Sequence, residues 1–485
     1  MVGNKSNKAV HFIGIGGIGM SALARYYKAR KWAVSGSDLA WSGITKGLAK
    51  EGVKVKIGHK KGNLPAGLAL VIYSQAIRSS NPELREARRR GIRIASYPEI
   101  VGKLTRTYTT IAVAGAHGKS TTTALASLVM IKGGLDPTVI VGARIKEFGG
   151  KNFRAGHGKF LALEADEFGK SFLHYSPAFA MVTNIDNEHL DTYKNMAGIK
   201  RNFLKFLGNT KTGGTLILNK DSKPLFSVKK KIGKISEVKN SKIIWYSLRS
   251  PAARKIESII KIPGKHNISN ALAAYHLGIA LKVPERKILE AIARYRGAWR
   301  RMEYRGSLRI KNQEARSKAT TLLLPASYSS ILPVYDDYAH HPTEIKATLR
   351  AFKEKSPGTK IICVFQPHQA ERLKLLFREF QTAFNDADIT LVLPVYRVAG
   401  RDTASEKFNS EALVRVIQKN QPRKLMFYLK DPKKIKQALG TLLSSLKPSA
   451  KGGSASGGKS SKLKAILVMM GAGTIADYTK YLLRK

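Results

Sequence analysis

Short apolar runs alternate with longer amphipathic stretches along the chain, and glycine marks many of the junctions. Ala9–Ile13, Ala33–Asp38, Leu70–Ser74 and Ile92–Ser96 read as strands, with helices at Met20–Arg30 and Asn81–Arg90 between them. The same rhythm returns at Thr109–Val113, Phe160–Leu163, Phe179–Asn184, Leu216–Asn219 and Lys242–Tyr246, with helices at Ser120–Ile131 and Ala271–Leu281. A third series has strands at Leu332–Tyr335, Lys360–Phe365, Ile389–Leu393 and Ala465–Met470. Its helices fall at Thr343–Phe352, at Glu371–Phe384 and after Gly473. Such alternation predicts an α/β fold with three mostly parallel sheets. Domains are expected at 1–107, 108–297 and 298–485, with Ala298–Gly306 as a hinge into the third. Lys311–Ser330 reads as a polar, irregular insertion. Lys447–Lys462, rich in Gly, Ser and Lys, reads as a flexible loop.

A length of 485 residues suits this count of domains. No run of ~18 apolar residues occurs, so no membrane span is expected. The polar start leads straight into a strand, and no signal peptide is expected. Cys363 is the single cysteine, which excludes an internal disulfide and any multi-thiolate metal site. It lies in an apolar run and is expected in a core. Together these features point to the cytoplasm. The net charge of +52 is extreme. It fits nucleic-acid binding, or a lysine-rich solvated surface on an enzyme with anionic substrates. The basic residues are spread along the whole chain with few aromatics between them, unlike a single-strand platform. The second reading is therefore favoured, with no specific nucleic-acid partner. Non-specific adhesion to RNA at low salt is expected all the same.

The chemistry concentrates at strand ends. Ala112–Thr123 joins a buried strand, the turn Gly115-Ala116-His117-Gly118, and Lys119-Ser120-Thr121 at a helix start. Backbone N–H groups and the macrodipole at such a start favour a phosphate. Lys119 would reach the outer phosphates and the Ser120 hydroxyl would meet Mg²⁺. The usual loop has a further glycine where Val113 stands. Gly14, Gly16 and Gly19 fit G-x-G-x-x-G after the first strand, with Asp38 about 20 residues on as the ribose acid. That turn suits NAD or any other nucleotide diphosphate, so its ligand stays open at this point. Glu164-Ala-Asp-Glu167 ends one strand, where a carboxylate can hold Mg²⁺. His189 follows another on a loop facing the same edge, as a ligand or as a locally packed histidine. Asn267 and Asn270 share a helix face, for a base, a phosphate or a cap. Asp336-Asp337 precedes His340-His341; adjacent histidines point apart, so a metal is disfavoured. Asp337 reads as a positioning carboxylate.

Seven motifs in order resemble the Mur ligases, across nearly the whole chain from Gly14 to Gly473. They are Gly-Ile-Gly-Gly-Ile-Gly-Met-Ser, Gly-Ala-His-Gly-Lys-Ser-Thr, Glu-Ala-Asp-Glu, Thr-Asn-Ile-Asp-Asn-Glu-His-Leu-Asp, Pro-Gly-Lys-His-Asn-Ile-Ser-Asn-Ala, Arg-Arg-Met-Glu and Asp-Asp-Tyr-Ala-His-His-Pro-Thr-Glu. The resemblance implies a reaction. ATP phosphorylates the lactyl carboxylate of UDP-N-acetylmuramate, and the amine of L-alanine attacks the acyl phosphate. The alternative within the family adds a whole tripeptide to the same sugar nucleotide. By resemblance, Gly115, His117, Gly118, Lys119, Ser120, Thr121 and Asn270 hold ATP, with Arg301 and Asp337 clamping the nucleotide. Mg²⁺ falls to Ser120, Glu164 and His189. Gly14, Gly16, Gly17, Gly19 and Asp38 hold UDP, which displaces NAD. The catalytic set is Lys119, His189, Arg301 and Asp337. Arg372 and His341 face the acceptor. Domain closure would shut out water, which hydrolyses acyl phosphates. Two loops depart from the family pattern. Phe168-Gly-Lys-Ser-Phe172 replaces Ser-Asp-Gly-Ser-Phe, and Gln369-Ala-Glu-Arg372 lacks an aromatic and a serine.

Overall fold

The computed structural model of the protein describes residues 8–188, 190–311, 329–397, 407–445 and 464–484. The insertion expected at Lys311–Ser330 lies outside the described residues except at its ends, and the loop expected at Lys447–Lys462 lies outside them entirely. The α/β expectation holds, with three sheets and helices between the strands. The first sheet comprises β1 (Ala9–Ile13), β2 (Ala33–Asp38), β3 (Lys54–Ile57), β4 (Leu68–Tyr73) and β5 (Ile94–Ser96). All its pairings are parallel, in the order β3-β2-β1-β4-β5. This is the order of dinucleotide-binding sheets, whose ligands lie beyond the strand C-termini at the point where the order reverses. Val10, Phe12, Val71 and Ile72 are fully buried, as a parallel sheet covered on both faces requires. β3 was not expected: Lys-Val-Lys-Ile has no apolar run, and its lysines are exposed. The helix Tyr97–Thr107 also escaped the apolar pattern. Its start carries a capping box, with Ser96 N donating to Glu99 Oε2 at 2.7 Å.

The second sheet comprises β6 (Thr109–Ala114), β7 (Thr138–Ile145), β8 (Lys151–Arg154), β9 (Phe160–Glu164), β10 (Phe179–Val182), β11 (Thr215–Asn219) and β12 (Lys242–Tyr246). Its order is β12-β11-β10-β6-β9-β7-β8, and β8 runs antiparallel to β7. The two sheets belong to one compact unit, Met1–Ile262 with His266–Trp299. One buried apolar cluster runs through both, from Val10 to Ile232. Asn152 on β8 ties them further. It donates to Ile18 O at 2.6 Å and Ser21 Oγ at 3.1 Å, and accepts from Arg25 Nη1 at 2.5 Å. The helix Lys265–Ala280 starts before the expected Ala271, so Asn267 and Asn270 lie inside its first turns and are not caps.

The third sheet belongs to the other unit, Pro263–Lys265 with Arg300–Lys485. It comprises β13 (Glu303–Lys311), β14 (Ser329–Asp337), β15 (Lys360–Phe365), β16 (Ile389–Val392), β17 (Leu425–Tyr428) and β18 (Ala465–Met470). Its order is β13-β14-β18-β15-β16-β17, with β13 antiparallel to β14. The last strand thus enters the middle of the sheet, where all its residues are buried. The boundary between the two units falls at Trp299–Arg300, inside the stretch Ala298–Gly306 expected as a hinge, and from Glu303 onward that stretch is strand. The expected single helix Glu371–Phe384 is two, Ala370–Leu375 and Phe377–Phe380, broken at Leu376. Cys363 is buried in β15, as expected. Among the described residues no helix is long and apolar enough to cross a membrane.

Candidate active site

The phosphate loop follows β6 and runs into the helix Lys119–Lys132. Gly118 has a φ of +82°, and a Cβ there would overlap the side-chain oxygen of Asn270. Only glycine fits this turn, and the overlap shows how closely Asn270 overhangs it. The loop is held from the end of β10. Asn184 Oδ1 accepts from His117 N at 2.9 Å, Asn184 Nδ2 donates to His117 O at 3.0 Å, and Thr183 Oγ1 donates to the same carbonyl at 2.6 Å. The His117 ring lies 2.9 Å from Asp186 Oδ2. Ser120 and Thr121 are buried in the first helical turn. Sequence reasoning had passed over Thr183 and Asn184, although both stand in the quoted Thr-Asn-Ile-Asp run.

Lys119 donates to Gly115 O at 2.7 Å and to both oxygens of Glu167, at 3.0 and 2.9 Å. Burial works against its charge, but Glu167, Asp166 and Glu164 outweigh burial and keep the ammonium above its ordinary range. Burial pushes the Glu167 carboxyl up to about 7, with Lys119 pulling against it. Glu167 therefore occupies the lysine where the phosphates would. Tyr193 donates to the backbone oxygen of Glu167. Glu164 pairs in register with Val113 on β6, which sets its carboxylate beside the phosphate loop. One of its oxygens accepts from Gly142 N at 2.6 Å. A hydroxyl and a carboxylate are suitable partners for Mg²⁺, which takes oxygen ligands and keeps phosphate and water as the rest. His189, the third expected ligand, lies outside the described residues. The departing loop Phe168–Phe172 is anchored at its C-terminal end. Ser171 Oγ donates to Gln75 Oε1 at 2.8 Å, and the buried Phe172 ring stacks on Phe206 at 5.1 Å.

The glycine turn follows β1 in the same unit. Gly14 N and Ile15 N donate to Ser37 O at 2.9 and 3.0 Å, and Gly16 N donates to Asp38 Oδ2 at 2.7 Å. Gly17 is the N-cap of the helix Ile18–Ala29, whose first turn offers its N–H groups. Asp38, expected on a ribose, here secures the turn itself, and its other oxygen accepts from Leu39 N at 2.8 Å. Below Ser37 lies a buried network that sequence reasoning had missed. Glu83 Oε2 accepts from Ser37 Oγ at 2.7 Å and lies 3.1 Å from His11 Nε2, while Oε1 accepts from Asn63 Nδ2 at 2.7 Å. Burial opposes the charge on Glu83, and hydrogen bonds from His11, His59, Ser37 and Asn63 outweigh burial and hold it well below the usual carboxylate range. A depressed carboxyl stabilises the fold above its unfolded pKa, and that stabilisation is lost as pH falls toward the folded value. Glu83→Ala is expected to cost on the order of 3 kcal/mol at pH 7. Denaturant titrations should show the gap to wild type closing below about pH 4.

In the other unit, Asp337 ends β14. Its oxygens accept from Met302 N and Ala339 N, each at 2.8 Å. Burial raises its pKa, against the pull of Arg301. Arg300 and Met302 both have left-handed φ, +55° and +50°, a strained frame around Arg301. Arg301 lies 4.9 Å from the Tyr338 ring centroid and 4.0 Å from Glu344 Oε1. Buried Arg300, not picked out from the sequence, donates to Gly471 O and lies 5.0 Å from the same ring. His341 caps the helix Pro342–Lys355, with Nδ1 accepting from Thr343 N at 3.3 Å. Arg372 Nη1 lies 3.4 Å from His368 Nδ1, and His368 stacks on Tyr396 at 5.5 Å.

A doubly wound nucleotide domain, a phosphate-loop domain with acids beside the loop, and a third α/β domain with an arginine–aspartate cluster define a class of ATP-dependent ligase. The Mur ligase catalytic-domain model matches residues 9–109, the Mur ligase middle domain 113–278, and the Mur ligase glutamate ligase domain 327–448. The chain belongs to the Mur ligase family. It is 36% identical over 411 residues to UDP-N-acetylmuramate–L-alanine ligase of Aquifex aeolicus, covering 80% of this chain and 84% of that one. The enzyme of the same name from Clostridium botulinum (strain Langeland) is 37% identical over 420 residues, 82% of this chain and 85% of that one. Among solved structures, UDP-N-acetylmuramate-alanine ligase of Thermotoga maritima superposes with a TM-score of 0.70 at 24% identity, over 98% of both chains. A murein peptide ligase from Psychrobacter arcticus gives 0.64 at 20% identity, again over 98% of both. These two likenesses concern the fold.

Proposed function

We propose that the protein joins L-alanine to the lactyl carboxylate of UDP-N-acetylmuramate at the expense of ATP, in peptidoglycan precursor synthesis in the cytoplasm. The supporting observation is the identity of 36–38% to L-alanine ligases across four-fifths of the chain or more. Residues 1–107 would bind UDP, 108–297 ATP, and 298–485 the amino acid together with part of the ATP. The carboxylate oxygen attacks the γ-phosphorus, and ADP leaves. The alanine amine then attacks the acyl carbon, and phosphate departs from the tetrahedral intermediate while the nitrogen loses its proton.

Lys119 exchanges Glu167 for the transferring phosphoryl group and neutralises charge that grows in the transition state. Glu167, left without its cation and already poised near neutrality, takes up a proton instead of repelling the phosphates. Ser120 and Glu164, with His189, would hold Mg²⁺, which would supply Lewis-acid stabilisation of the phosphate charge. Arg301 and Asp337 act on the nucleotide from the third domain; Asn270, with Gly115, His117, Gly118 and Thr121, acts on it from the second. Gly14, Gly16, Gly17, Gly19 and Asp38 serve the UDP diphosphate. The test is mass spectrometry of products from UDP-N-acetylmuramate, ATP, Mg²⁺ and L-alanine, alongside calorimetry of the first domain's ligand. A product heavier by one alanine residue and binding of the UDP-sugar, with no NAD binding at millimolar levels, are expected. Tight NAD binding, or no alanyl product, would sink the reading.

A further inference from the structure

Tyr97 opens the helix Tyr97–Thr107 directly after β5, at the C-terminal edge of the first sheet, where the glycine turn also lies. Its phenol rests against the first turn of the helix Ile18–Ala29. A Cβ at Gly19 would fall 2.7 Å from the Tyr97 hydroxyl and 2.8 Å from Cζ. The third glycine of the motif is thus a slot for this ring. In dinucleotide-binding turns that glycine serves close packing of helix on strand. The hydroxyl carries no hydrogen bond among the described residues. Burial, then the charges of Asp166 and Glu164, keep its proton on well above the ordinary phenol range, so it is a neutral donor.

The chemistry of the bound sugar nucleotide says what this donor meets. Its diphosphate already has the N–H groups of the glycine turn and helix start. Its carboxylate must approach the phosphate loop, close to Asp166 in the acid run at the end of β9, which repels it. A neutral O–H near Asp166, whose charge bears on the Tyr97 phenol, offsets that repulsion without adding charge. We propose that Tyr97 is a further substrate-binding residue, whose hydroxyl donates a hydrogen bond to the lactyl carboxylate of the sugar nucleotide and fixes the oxygen that meets ATP. This rests on the function proposed above.

The test uses the full chain and its Tyr97→Phe variant, which keeps the ring against Gly19. UDP and UDP-N-acetylmuramate are each titrated by calorimetry, and phosphate release is followed with L-alanine. UDP affinity is expected to stay the same. UDP-N-acetylmuramate should bind roughly 10-fold more weakly, the worth of one hydrogen bond to a charged group, with kcat/KM falling at least as far. An equal loss for both ligands would mean a structural or diphosphate role and overturn the assignment. Unchanged affinity for both would overturn it too. Failure of the ligase reading itself is seen separately, in a wild type that makes no alanyl product; that result removes both.

Discussion

Lys119→Ala is expected to lower turnover by at least about 10³-fold while the chain still folds and still binds UDP-N-acetylmuramate. The size of the loss follows from where the charge goes. In phosphoryl transfer the protein's work is mostly electrostatic stabilisation, and this ammonium is the cation that the phosphate loop itself supplies. Survival of the fold follows from Glu167. Without its lysine this buried carboxylate loses its counter-charge, and burial alone then drives it further upward from about 7. It takes a proton at working pH instead of remaining a buried anion. Since its folded pKa is then raised, the variant should be more stable at pH 6 than at pH 8. Phosphate release at saturating ATP, with circular dichroism at both pH values, checks each part. A folded variant with near-normal phosphate release would remove the loop from the mechanism.

The parts of the site legible from sequence were those carried by short, contiguous motifs. Gly-Lys-Ser after an apolar strand marked the loop, and Glu164 stood at a strand end because Phe160–Leu163 is apolar. The residues missed act through contacts distant in sequence. Glu83 meets His11 across 72 positions, and Tyr97 meets Gly19 across 78; neither spacing is periodic, so no window reveals it. Arg300 was passed over beside Arg301 because two adjacent arginines look alike until the backbone turns one inward. The start of β13, Glu303–Gly306, fell within the stretch read as a hinge because it carries no apolar run; among the described residues β13 is an edge strand paired with β14, where polar residues are tolerated. Asp38 was found, but the bond it makes to its own turn needs the fold to be seen.

The acceptor is expected to be L-alanine, with L-serine and glycine used less well, D-alanine poorly and a tripeptide not at all. The relatives at 36–38% identity carry that amino acid in their names. The reading of Gln369–Arg372 from sequence left a gap where an aromatic is missing. Ala370 itself is buried, so the gap is not open space. An aromatic comes from elsewhere instead: Tyr396 stacks on His368 at 5.5 Å, and His368 lies 3.4 Å from the Arg372 guanidinium. The arginine is thus steered by a stacked histidine and can meet a small acceptor's carboxylate bidentately. His341 spends Nδ1 on its helix cap, which leaves Arg372 as the principal cation assigned to the acceptor. One methyl in a pocket discriminates by only ~1–3 kcal/mol, so glycine should run about 10-fold or more behind alanine without being excluded. Arg372→Ala should raise the KM for L-alanine roughly 10–100-fold, the worth of hydrogen bonds to a charged group, with KM for ATP little changed. Phosphate release measured with each acceptor in turn decides the matter. Turnover supported only by L-Ala-γ-D-Glu-diaminopimelate would assign the protein to the tripeptide-adding branch and overturn this expectation.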